Sequence, residues 1–153
     1  MPDDDARAEL TPKLVDSLYV EAMVLADEAR SYFDSAARDD RMELDPVDRV
    51  GFSCESLKVT TRLMHIIAWL LTQRAVVAGE LTRAQAGESE RRLGPAPVSD
   101  EPLLPRLPAA AVELIRATEE LYERVGRLDE GSFGEAPAAS PARSLLSRLE
   151  RSL

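Results

Sequence analysis

Apolar residues recur along this chain at helical spacing in three long runs, and nowhere do they alternate with polar ones as a strand requires. Thr11 and Pro12 form a start signal, a capping hydroxyl followed by an imino acid whose missing N–H costs nothing in a first turn. From there to about Ala37, Leu14, Leu18, Ala22, Leu25, Ala29, Tyr32, Phe33 and Ala36 share one helix face, with Asp16, Asp27 and Asp34 opposite. Arg38–Gly51 lacks any apolar period and holds Pro46 and Gly51, so a polar loop is expected there. A second helix, apolar around more than half its circumference, is expected from about Ser53 to Gly79, a good C-terminal residue. Thr82 with Gln85 three positions on has the pattern of a capping box, predicting a short helix to about Leu93. Gly94–Pro108 holds five prolines and reads as a connector. A third helix follows to Leu128, with Leu114, Ile115, Thr118, Leu121, Tyr122, Val125 and Leu128 in one stripe. Asp129–Ala142 has the composition of a flexible linker, and Leu145, Leu146, Leu149 and Leu153 after it return to helical spacing.

The pattern predicts an all-α fold: an antiparallel three-helix bundle in up-down-up order, with a short extra helix and a flexible C-terminal tail. The domain is expected over residues 11–128, between a disordered N-terminus at 1–10 and a linker with a short amphipathic segment at 129–153. Bundle handedness is open.

Charge narrows the function. The 153 residues carry a net charge of −9, which argues against a phosphate-backbone ligand and hence against nucleic acid. Arg91 and Arg92 in the short helix are too few, in so acidic a chain, for a transcription factor's recognition helix. The uncharged run between Arg62 and Arg74 is far short of the ~20 residues that a membrane span needs. One cysteine, Cys54, and an N-terminus without an apolar core set the expectation of a cytoplasmic protein.

Candidate chemistry is sparse. Cys54 and His65 stand eleven positions apart on one helix, too far along its axis to pair as nucleophile and base. Ligand sets for zinc or a di-iron centre are missing, and the acidic residues Asp39, Asp40, Glu43, Asp45 and Asp48 lack the spacing and central glycine of a calcium loop. No catalytic residue, cofactor or metal is expected, and the chain reads as a non-enzyme.

Surfaces remain. With Leu63, Ile67, Leu70 and Leu71 placed toward the core, the opposite stripe of the second helix holds Lys58, Arg62, His65, Trp69, Thr72, Gln73 and Val76. Two readings of Trp69 stand: an exposed interface anchor, or a ring packed beneath the residue-80s segment or the connector. Val20, Met23 and Val24 lie on the polar side of the first helix, as a dimer seam or as ordinary exposed residues. Arg74 projects near the middle of the second helix's apolar arc, either paired with Glu21 or Glu28 or snorkelling outward. In the tail, Arg143, Arg148 and Arg151 flank the leucine stripe, suiting it to dock in a partner's groove or to fold back on its own bundle. Membrane-surface binding is the weaker third option, for a segment this small and without aromatics.

The stretch CESLKVTTRLMHIIAWLLTQRAVVAGELT resembles the signature helix of an alphaproteobacterial family that includes the regulator of CtrA degradation (RcdA), long catalogued as a domain of unknown function. Cys54 to Leu57, Thr60 to Met64, Trp69 to Leu71, Gln73 to Val76, Gly79 and Glu80 carry the resemblance, and SPARSLLSRLERSL is similar to the family's terminal segment. The resemblance implies a three-helix bundle, often dimeric, with a flexible tail. It implies an adaptor in cell-cycle proteolysis that tethers protein substrates, works with the AAA+ protease ClpXP and a receiver-domain partner of the CpdR type, and supports recruitment to a cell pole. It brings no catalytic residues. Partner contacts are accordingly expected at Lys58, Arg62, His65, Trp69 and Gln73 on the helix, and at Leu145, Leu146, Arg148, Leu149 and Leu153 in the tail. The competing class is a structural or regulatory homodimer with no protease link.

Overall fold

Thr11 sits in extended backbone, and its hydroxyl accepts the Leu14 N–H at 3.1 Å, so with Pro12 behind it the chain enters helix α1 (Pro12–Ser31) as its sequence dictates. The structure is a computed structural model that describes residues 10–134 and Leu149. α1 does not stop near Ala37. It passes through a π-helical turn (Tyr32–Ala36) into α2 (Ala37–Met42). The wider turn advances the buried register by one residue, so Ala36 is exposed and Ala37 takes the buried place after Ala29. Tyr32 anchors this junction by donating to Asp40 at 2.8 Å, while Phe33 packs edge-on between the rings of Tyr32 and Phe52.

The loop expected over residues 38–51 shrinks to three residues, 43–45, because Pro46 opens α3 (Pro46–Val77) instead of breaking a chain segment. Gly51 lies inside that helix for a steric reason. A Cβ there would come within 2.5 Å of Leu103 Cδ2. α3 closes as expected: Gly79 has φ +78, with Glu80 N–H bonded to Ala75 O at 2.8 Å and Gly79 N–H to Val76 O at 3.0 Å, the paired bonds of a Schellman end. The capping box at Thr82 and Gln85 is present in both directions, though the helix it starts, α4 (Arg83–Ala86), ends at Gly87 rather than near Leu93. After turns of 3-10 helix at Ser89–Arg91 and Leu104–Arg106, α5 (Ala109–Phe133) completes the domain.

The all-α bundle is confirmed, with no strand among the described residues. Its directions are not simply up-down-up. α1 runs antiparallel to α3, with Asp16 near Arg74 at one end and Phe33 against Phe52 at the other. α5 runs parallel to α3: Thr118 accepts from Arg62 at 3.3 Å and Asp129 from Trp69 at 2.8 Å. A parallel neighbour requires a return path, and residues 78–108 supply it as a strap that travels back along α3. Its contacts track that return, from Gly94 beside His65 to Asp100 beside Glu55 and Leu103 beside Gly51. α3 is therefore covered along two seams, and Val59, Leu63, Ile66 and Leu70 form the centre of the core. α5 also outruns its expected end. Asp129 is still buried within it, so the first residues expected to form the linker, as far as Phe133, belong to the helix.

Candidate partner-binding surface

The stripe expected to be exposed on α3 faces inward along most of its length. Trp69 is only 1% exposed, its indole N–H donating to Asp129, whose same oxygen accepts from Arg92 Nε at 2.9 Å. Arg62 is buried as well, donating to Thr118, to Ser99 Oγ at 2.8 Å and to the carbonyl of Pro97 at 3.3 Å, with Glu119 at 3.9 Å. Burial pulls the Arg62 guanidinium below its ordinary pKa against the opposing pull of Glu119 and Glu55. Gln73 is buried, and its Nε2 has no hydrogen-bond partner among the described residues. The expected exposure of Arg62 and Gln73 is therefore corrected, and of the two readings of Trp69 the packed one holds. The strap and α5 lie where solvent was expected, and these three side chains line the face they cover.

Lys58 and His65 keep partial exposure at the strap's border. Lys58 bonds Glu55 Oε2 at 2.8 Å. Burial alone would raise the Glu55 carboxyl, yet bonds from Lys58, from the Asp100 N–H and from the Ser99 hydroxyl together hold it below the usual range. His65 packs on the Cα of Gly94, where a Cβ would fall 2.0 Å from Nδ1. Arg74 is neither buried nor paired with Glu21 or Glu28: it stacks over Tyr19 at 4.5 Å, lies 3.7 Å from Asp16, and stays half-exposed. Glu21 instead pairs with Arg124 of α5.

What α3 does present outward is a different row. Leu71, expected in the core, is exposed, and it ends a series running Val47, Val50, Cys54, Leu57, Thr61, Met64, Ala68, Leu71, whose steps alternate three and four residues. Val47 is 79% exposed, Leu57 67% and Met64 62%. The heptad spacing is readable directly from the sequence, but placing Leu71 in the core hides it. Between this row and α1 lies an open, mostly apolar groove of about 580 Å³, with Ala26, Arg30 and Phe33 on one wall and Met64, Ile67 and Leu71 on the other. Val20 and Val24 are exposed on α1 as well. In the tail, Leu149 is helical and 58% exposed. Leu145, Leu146, Arg148 and Leu153 lie outside the described residues.

Among the described residues no group of three or more His, Cys, Asp and Glu is placed to hold a metal ion, and no helix is long and apolar enough to cross a membrane. The geometry offers packing surfaces and structural polar contacts.

Comparison with known proteins gives a consistent result. A family model described as a protein of unknown function (DUF1465) matches residues 6–153. The crystal structure of RcdA from Caulobacter crescentus CB15 aligns with a TM-score of 0.67 at 34% identity, over 81% of this chain and 94% of that one. A comparison with curated proteins returns no match.

Proposed function

The chain belongs to the RcdA-like DUF1465 family, and from that premise we propose that it is a non-enzymatic adaptor of cell-cycle-linked proteolysis. In this reading it tethers protein substrates to a ClpXP-type AAA+ protease together with a receiver-domain partner, and is recruited to a cell pole from the cytoplasm. The observation that carries the proposal is the likeness to RcdA, which spans nearly the whole of that chain. The surfaces agree with it, since an adaptor needs modest contact patches and a tether rather than a reacting group. Lys58, His65 and the tail residues Leu145, Leu146, Arg148, Leu149 and Leu153 are assigned to partner contact, while Arg62, Trp69 and Gln73 serve the surface indirectly from beneath the strap and α5. A homodimer without a protease link is the second reading, favoured by the exposed heptad row of α3.

The test is a reconstituted degradation assay with the host's unfoldase, peptidase, receiver-domain protein and a fluorescently labelled substrate. The full chain is expected to accelerate substrate loss. A chain ending at Gly134 is expected to keep its helical signal and lose delivery. The cut belongs after Gly134, because removing Asp129 would strip Trp69 of its hydrogen-bond acceptor. No acceleration by the full chain would overturn the adaptor reading.

A further inference from the structure

The groove between α1 and α3 does not end at Phe33. Phe33 and Asp34, at the π turn, form a wall shared with a second, smaller hollow of about 210 Å³ between α2 and the first turns of α3. The two compartments make one trough beside α3 from Ser53 to Leu71, about 18 residues or 27 Å long. Its wider part is apolar, with Ala29 and Leu63 at the floor and Met64 and Leu71 exposed at the rim. The smaller end differs. There Arg38 and Arg41, three residues apart on one face of α2, lie across from Ser53 and Ser56, also three apart, on α3.

Unpaired guanidinium groups are out of place in this chain. It carries 28 carboxylate side chains against 19 Lys and Arg, and most of the described arginines hold a carboxylate. Arg38 and Arg41 have neither a side-chain hydrogen bond nor an ion pair among the described residues, although Asp39, Asp40 and Glu43 are close in sequence. Asp40 is taken by Tyr32 instead, and Arg30, further along the trough, is bound to Asp27 at 2.6 Å. Asp34 is the one carboxylate lining either compartment, so the arginine end keeps a net positive charge.

We infer that the trough is the docking site for an amphipathic helix of a partner protein. That helix has large apolar side chains at intervals of three and four residues and acidic residues in its first turn. The walls dictate its form. They are helical, with their N–H and C=O groups bonded within them, and the Thr60 hydroxyl is spent on Ser56 O. An extended strand would find no ladder to join, whereas a helix brings its own backbone bonds and asks partners only for its side chains. The apolar stripe fills the wider compartment, and the carboxylates reach Arg38 and Arg41. The macrodipole favours anions at a helix N-terminus, so the docked helix runs parallel to α3. Charge argues against the chain's own tail as occupant. Its leucines come with Arg143, Arg148 and Arg151 against one Glu150, the wrong sign for the arginine end. The assignment deepens the adaptor reading, on which it rests only for the partner's identity as a delivered protein. Docking is read without protease, so failed delivery with docking intact counts against the adaptor reading alone.

The probe is a fluorescein-labelled peptide of about 18 residues, capped at both ends, with leucines at those intervals and three glutamates in its first turn. Fluorescence anisotropy with the full chain is expected to show saturable binding that weakens as salt is added. A peptide with lysines in place of the glutamates is expected not to bind. Arg38→Glu combined with Arg41→Glu is expected to weaken binding at least about tenfold and to remove most of its salt dependence. Helicity is expected to hold, since both side chains are exposed. Met64→Glu, at the apolar rim, is expected to weaken binding to a similar degree. Arg127 on α5 is the control, exposed and without an ion pair among the described residues, and Arg127→Glu is expected to leave binding intact. The assignment is overturned by an absence of saturable binding, by a lysine peptide that binds as tightly, or by indifference to the Arg38 and Arg41 pair or to Met64→Glu. It is overturned equally by a loss with Arg127→Glu as large as with that pair. Binding seen only with a chain ending at Gly134 would give the trough to the tail, and binding confined to dilute monomeric chain would give it to a second copy; either sinks the partner helix as its occupant.

Discussion

At the scale of single residues, the governing fact is that α3 carries polar side chains on a buried face. Trp69, Arg62 and Glu55 each find partners on the strap or α5, so the usual penalty for burying polar groups is offset at the bonded atoms, while Glu55 Oε1 is buried with no hydrogen-bond partner among the described residues. Trp69→Phe isolates one such contact. It keeps an aromatic ring in the site and removes the donor, while Asp129 retains Arg92. The variant is expected to lose about 1–3 kcal/mol in denaturant unfolding, with substrate delivery unchanged wherever the protein remains folded. A loss of delivery at full stability would return Trp69 to the surface role its residue type suggests. Residue types alone do not decide this. A helix with polar residues at Arg62 and Gln73 and an aromatic between them looks amphipathic with that face outward, and only the strap's path shows what covers them. The strap is proline-rich, lacks periodicity and gives no signal of where it lies.

At the scale of elements, termini are legible and interiors less so. Thr11–Pro12, Gly79 and the Thr82–Gln85 box each act through local backbone chemistry and appear where the residues place them. Pro46 and Gly51 mislead because the same residue types mark both breaks and allowed places within a helix. Proline suits a first turn, and glycine suits a helix interior pressed against a neighbour, as Leu103 presses on Gly51. The π turn at Tyr32–Ala36 has no sequence mark at all. It follows from tertiary demand, keeping Phe33 on Phe52 while Ala37 returns to the core. Gly79 permits a clean test of the local account, because no atom lies within 4 Å of the place a Cβ would take and only φ opposes a side chain. Gly79→Ala is expected to cost roughly 1–2 kcal/mol in thermal or chemical unfolding, with helix content otherwise retained. A neutral or stabilising outcome would mean that the turn relaxes out of the left-handed region at no cost.

At the scale of the whole molecule, parallel α3 and α5 are possible only because the strap is fastened along α3, and the Glu55 carboxylate is a buried anionic fastening midway along its return. Glu55 bonds the Asp100 N–H at 3.1 Å across the gap and Lys58 within its own helix, and these bonds hold its pKa below the ordinary carboxylate value despite burial. Protons therefore bind this group more readily in the unfolded chain than in the folded one. Its contribution is fully present above the ordinary carboxylate range, and it fades as pH falls through that range toward the lower folded value. Acidification also carries the net charge from −9 through zero near pH 4.7 and on to positive values, so self-repulsion first falls and then returns, and the midpoint of the wild-type protein alone cannot isolate Glu55. Glu55→Gln separates the two, because the general charge effect is nearly common to both proteins while the variant lacks the titrating group. Its unfolding temperature is expected to lie below that of the wild type near pH 7, with the gap narrowing as pH falls through and below the ordinary carboxylate range. A gap of constant size across that interval would mean that the glutamate acts by shape rather than by charge. The strap would then be held chiefly by Arg62, by the Arg106–Asp48 pair and by the apolar anchors Leu103 and Leu104.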